Sequence, residues 1–197
     1  MMRSQRDIAL RTLLVSATVV ASGPASAHAG TGLAGGFNMG LAHPLTGFDH
    51  LLAMISVGLW GAVLGRPLIY VLPVVFPGVM VLGGVLGMFG IPLPSIELGI
   101  ALSVVVLGTC IALTVRAPVW AAALVVGTFA LFHGYAHGRE LPSAADPLGY
   151  SAGFVLATGL LHVFGICVGF VNGGAAVTRC IGCLIGAAGV WFLVRAS

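Results

Sequence analysis

Six apolar blocks, each near the roughly 20 residues a helix needs to cross the hydrocarbon of a bilayer, follow one another at 41–65, 67–90, 96–115, 118–138, 147–170 and 175–195. The breaks between them carry helix punctuation: Arg66-Pro67, Pro92-Leu93-Pro94-Ser95, Arg116-Ala117-Pro118, Asp146-Pro147 and Asn172-Gly173-Gly174. No soluble domain fits between the blocks. Pro77, inside the second, predicts a kink there. The expected fold is therefore an all-α membrane protein, one compact bundle of six transmembrane helices. Composition agrees: 59% of the 197 residues are hydrophobic, 7% are charged, and the mean hydropathy is +1.13. The 30 glycines suit close helix packing in lipid, where small residues let backbones approach.

The same composition excludes several functions. Lysine is absent, so there is no Walker A sequence to couple ATP binding to transport. The net charge of +3 comes from eight scattered arginines with no basic cluster, which argues against a nucleic-acid partner. Cys110, Cys167, Cys180 and Cys183 lie in apolar surroundings and read as small packing residues, not as a disulfide framework.

The N-terminus reads as a cleaved signal peptide. Arg3, Arg6 and Arg11 supply the positive region, 12–20 the apolar core, and Ala25-Ser26-Ala27 the small-residue cleavage site. The chain then divides into a signal peptide, 1–27, and a transmembrane domain, 28–197, with His28 as the first mature residue. An uncleaved anchor is the alternative. A cleaved signal leaves the mature N-terminus outside, and six crossings place Arg66, Arg116 and Arg179 inside. Glu97, Arg139, Glu140, Asp146 and Arg195 then fall outside, as the positive-inside rule requires.

Against this apolar background His43, Asp49, His50, His133, His137 and His162 stand out, within the blocks or at their mouths. An ionisable group at bilayer depth costs roughly 2.5–3.5 kcal/mol on insertion scales unless it finds a partner or water. Neutral imidazole with carboxylate suits borderline divalent metals such as nickel, cobalt, zinc and copper. An intramembrane metal site follows as the leading idea. His43 and His50, seven residues apart, predict one face of a helix that Pro44 begins, with Gly47 allowing close approach. Asp49 points about 100° from His50 on an ideal helix, which leaves it to orient a histidine on a neighbouring helix. His133 and His137 are at i and i+4, with Glu140 continuing the stripe at i+7. Two imidazoles one turn apart form a two-point grip on a metal ion.

His43-Pro44-Leu45-Thr46-Gly47-Phe48-Asp49-His50 and Phe132-His133-Gly134-Tyr135-Ala136-His137-Gly138-Arg139-Glu140 resemble the two histidine motifs of the HupE/UreJ family of hydrogenase and urease accessory proteins. Shorter stretches, Ile96-Glu97-Leu98 with Ala101-Leu102-Ser103, and Leu161-His162 with Gly165 and Gly169, are also similar. The resemblance implies a six-helix permease of the bacterial inner membrane for nickel, with cobalt as the alternative, and both termini periplasmic. It implies no enzymatic activity and no tightly bound cofactor, the metal being cargo. An indirect link to the proteins that mature nickel enzymes follows, and a homo-oligomer is left open. Position by position it points to His43, Asp49, His50, His133, His137 and Glu140, with Glu97 and His162 in the shorter stretches. A second nickel permease family carries H-x4-D-H; the five-residue gap between His43 and Asp49 argues against it.

Plainer roles remain for several of these residues. A membrane histidine such as His162 often serves as a hydrogen bonder between helices. Glu97 suits a helix N-terminus, where the dipole favours an acid. His28 is either a remnant of processing or, with the free amine, a metal-capture group. Two other functions also fit histidines in a membrane: an intramembrane zinc hydrolase working through a metal-bound water, and a cytochrome with axial histidines.

Overall fold

The computed structural model describes residues 33–141, 146–171 and 174–196, and every regular element among them is helical. The expected signal peptide and His28 lie outside the described residues. The helices are α1 (Leu33–Ala42), α2 (Phe48–Leu64), α3 (Leu68–Met88), α4 (Ile96–Ala112), α5 (Val119–Glu140), α6 (Pro147–Val171) and α7 (Ala175–Ala196), with a 3₁₀ turn at His43–Leu45 between the first two.

Among the described residues, α3, α5, α6 and α7 are long and apolar enough to cross a membrane. The first expected span is not one straight helix. Gly35–Leu45 and Phe48–Leu64 meet at 81° and make at most one broken span. The cause is local. Pro44 cannot donate into a continuing helix, the Thr46 N–H and hydroxyl both turn back onto the His43 carbonyl, and Gly47 is extended at φ −100° and ψ 114°. The third expected span is also shorter, because α4 has 17 residues, about 25 Å of helix against a hydrocarbon core of about 30 Å. The structure thus carries four or five spans by length and composition, plus this shorter apolar helix.

Side chains are distributed as in a bundle surrounded by lipid. Val74, Leu82, Trp120, Leu148, Leu160 and Leu184 are exposed, whereas Met54, Trp60, Leu72, Phe76 and Leu107 are buried. Trp60 is a packing residue whose indole N–H donates to the Val115 carbonyl at 3.2 Å. Cys167, Cys180 and Cys183 are exposed and not in the packed interior, a correction to their reading as packing residues.

Glycine sets the helix spacing. A Cβ on Gly134 or Gly138 of α5 would strike the backbone carbonyls of Met80 and Gly84 on α3. A Cβ on Gly58 of α2 would strike the carbonyl of His162 on α6, and one on Gly165 that of Ile55. These contacts hold α5 on α3 and α6 on α2 at backbone distance. They fix the positions of the histidines that the same helices carry.

Candidate metal site

The first turn of α2, the last turns of α5 and the 3₁₀ turn bring their histidines together at one end of the bundle. The ring centroids of His50 and His137 are 4.5 Å apart, those of His50 and His133 4.9 Å, and those of His43 and His137 4.7 Å. His43 and His50 are not stacked on one helix face as their spacing suggests. The bend turns His43 over the end of α5 and against Tyr150 and Phe154 of α6, at 5.7 and 6.1 Å between ring centroids.

Hydrogen bonds select which nitrogens are left for a ligand. Asp49 Oδ1 accepts the His50 backbone N–H at 2.8 Å and the His50 Nδ1–H at 2.9 Å. It therefore orients its own neighbour, which corrects the expectation that it orients a histidine on another helix. With Nδ1 donating to a carboxylate, His50 Nε2 carries the lone pair. His133 Nδ1–H donates to the Phe129 carbonyl at 2.9 Å, and its Nε2 is likewise the acceptor nitrogen. His50 Nε2, His133 Nε2 and both nitrogens of His137 are buried and make no hydrogen bond to the protein. Burying an unsatisfied polar atom costs about 1–3 kcal/mol. Each neutral ring offers one lone pair, so a bound cation would relieve His50 Nε2, His133 Nε2 and one nitrogen of His137.

A cavity of about 280 Å³ opens beside the cluster, lined by His43, Thr46, Asp49, His50, Glu97 and His137 among others. Glu97, in the first turn of α4, shares this cavity with the histidines, so the shorter matching stretch belongs to the same place. Glu140 is the last residue of α5, one turn beyond His137. The carboxylates of Asp49 and Glu97 give the mouth its negative charge. Among the described residues no three His, Cys, Asp or Glu side chains already stand in metal-binding geometry. The rings meet edge to face or tilted, and closing on an ion requires their rotation.

His162 is separate from this cluster. It is fully buried on α6, with the Phe76 ring 5.3 Å away between centroids, and Phe76 in turn lies 5.6 Å from His133. Phe76 of α3 is therefore in ring contact with both His133 and His162.

The sequence reading missed Tyr150 and Phe154, which pack against His43 and His137. With Thr158 and His162 they recur every four residues along one buried stripe of α6. That period was visible in the sequence and marks the face turned to the interior.

A profile of the family described as HupE / UreJ protein matches residues 16–192. This chain belongs to the HupE/UreJ family. Protein HupE of Rhizobium leguminosarum bv. viciae is 47% identical over 175 residues, covering 87% of this chain and 92% of that protein. No solved structure matches the chain. The two histidine motifs that first suggested the HupE/UreJ family are the segments that the fold brings into contact.

Proposed function

We propose that this protein is a secondary permease that imports nickel, with cobalt as a second cargo, across the bacterial inner membrane for hydrogenase or urease maturation. The observation that carries the reading is the convergence of His43, His50 and His137 at the cavity shared with Asp49 and Glu97, with His133 in ring contact with His50. The open ring nitrogens of His50, His133 and His137 have no hydrogen-bond partner in the protein. Imidazole and carboxylate form a borderline donor set of the kind nickel and cobalt accept. HupE/UreJ membership supports the cargo and the cellular role.

In this reading all six apolar segments cross the bilayer, α1 with α2 as a broken span and α4 as a short one, after removal of a signal peptide at Ala27. Both termini face the periplasm, which puts the cavity at the outer surface. Glu97 and Glu140 attract the cation electrostatically, and His28 captures it through the lone pairs of its imidazole and free amine. His43, His50, His133 and His137 then replace part of its water shell, and His162 receives it on the inner side of Phe76. Transport runs on the ion gradient, proton exchange or cytoplasmic trapping. Neither the zinc hydrolase nor the cytochrome is favoured by an observation in the bundle or by family membership.

Uptake of radioactive nickel into proteoliposomes tests the proposal, with cobalt and zinc as competitors. The His133→Ala/His137→Ala variant, inserted at equal levels, is expected to lose uptake. Full uptake by that variant would remove the site.

A further inference from the structure

Below the outer cluster the interior contains donors that no histidine motif includes. Pro77 has no N–H, so the Pro73 carbonyl one turn before it loses its helical donor. That carbonyl faces the His162 imidazole. The approach does not close into a hydrogen bond of full geometry, and both His162 nitrogens are buried with no hydrogen-bond partner in the protein. One turn before His162 on α6, Thr158 is fully buried and donates its hydroxyl to the Met54 sulfur at 3.5 Å. Met54, also fully buried, lies one turn before Gly58, the glycine on which the His162 backbone rests. An imidazole, an orphaned carbonyl, a thioether and a hydroxyl are thus presented by the packed helices α2, α3 and α6, with Met54, Thr158 and His162 fully buried and Pro73 half-buried.

Building on the permease reading, we propose that His162, the Pro73 carbonyl, Met54 and Thr158 form a second, inner cation site for a largely dehydrated borderline divalent ion. The outer donors are imidazole and carboxylate, whereas the inner set is uncharged and includes sulfur. Thioether is a soft donor that disfavours hard ions such as magnesium and calcium. An uncharged set holds a divalent ion less firmly than one with carboxylates, so the ion can leave inward. The proline-broken ladder of α3 supplies the carbonyl, a use of irregular backbone that membrane transporters confine to protein-lined paths.

The test is nickel binding to the purified full-length protein, read by equilibrium stoichiometry and by nickel X-ray absorption at saturation, beside proteoliposome uptake. Wild type is expected to bind two ions, with a sulfur contribution in the spectrum. Met54→Leu conserves side-chain volume and keeps all four cysteines. It should lose the sulfur contribution and about ten-fold in uptake, yet keep the outer ion. His162→Gln retains an N–H donor for the Pro73 carbonyl and should bind one ion without transporting it. Normal uptake by His162→Gln would make His162 a structural cap of that carbonyl and overturn the inner site. So would an unchanged sulfur contribution in Met54→Leu, or a single ion in wild type that His162→Gln still binds. Those results leave the outer site standing. Failure of wild type to bind nickel at all would instead remove both readings.

Discussion

The geometry around the histidines depends on backbone contact between α3 and α5, and Gly134→Ala tests that contact directly. A Cβ at Gly134 falls onto the Met80 carbonyl, a backbone atom that cannot swing aside as a side chain would. Restoring van der Waals distance requires the two helices to separate by about 1 Å or more. Overpacking of this kind costs about 1–3 kcal/mol. Replacing glycine by alanine in a helix interior returns only about 0.5–1 kcal/mol, so net destabilisation of about 1–2 kcal/mol is expected. Gly127→Ala is the matched control, two turns earlier on the same helix. Its nearest atoms would be methyl carbons of Val79 and Val75 at 3.6 and 3.7 Å, ordinary contact distances. That variant should be neutral or slightly stabilised. The functional effect follows from position, because His133 precedes Gly134 directly and Phe76, opposite it, lies on α3. A misplacement of about 1 Å at a reacting centre can cost on the order of 100-fold, so nickel uptake by Gly134→Ala should fall at least ten-fold. Thermal unfolding in detergent and proteoliposome uptake read the two effects. If Gly134→Ala matched Gly127→Ala in both, α3 and α5 would not be packed as described, and the distances between the histidines would lose their basis.

Asp49→Asn keeps an oxygen for the His50 N–H groups but removes the charge, so folding should be retained and nickel affinity should fall about 10–100-fold, the usual effect of losing a carboxylate that orients a metal-binding histidine; titration of detergent-solubilised protein measures it. Uptake should decline as the outer medium is acidified, because protons and metal compete for the same imidazole lone pairs and protonation favours the metal-free form. Rates measured from pH 8 to 5 at fixed nickel, with the internal pH clamped, check this, and a rate that rises throughout would point to proton symport. Intact mass of the membrane-extracted protein should show His28 as the first residue, and a C-terminal alkaline phosphatase fusion should be active. Retention of residues 1–27 would remove His28 from metal capture, and an inactive fusion would turn the cavity toward the cytoplasm.

Helix type and approximate limits were legible in the sequence because hydropathy and punctuation are local properties. The α5 histidines were legible for the same reason, since i and i+4 meet on any helix. Depth and convergence were not. Pro44 and Gly47 fit a helix start as well as a break, and only the packing of the preceding segment decides between them. That segment, α1, begins before the first apolar block of the sequence reading, which starts at 41, and carries Gly35, Gly36 and Gly40. In the fold, a Cβ on Gly40 would strike the Tyr150 carbonyl of α6, so the glycine is there for a neighbour more than 100 residues away in the chain. For Glu97 the sequence offered both a metal role through the resemblance and a plain role as an acid at a helix start, and α4 places it in the cavity with the histidines.

The bend also explains how the first motif works with the second. On one straight helix His43 and His50 would be about 10 Å apart along the axis and on the same face. With the break at Thr46-Gly47, His43 sits on a separate turn, and His137 lies within ring contact of each, at 4.7 and 4.5 Å. The residues between the histidines of the first motif thus have a physical task. Pro44 ends one helix, Gly47 allows the chain to re-enter another, and Asp49 then fixes the ring that the second helix presents. Straightening the segment would put both histidines on one helix while leaving every donor in the sequence. Spacing in that motif is therefore a matter of backbone geometry as much as of ligand identity.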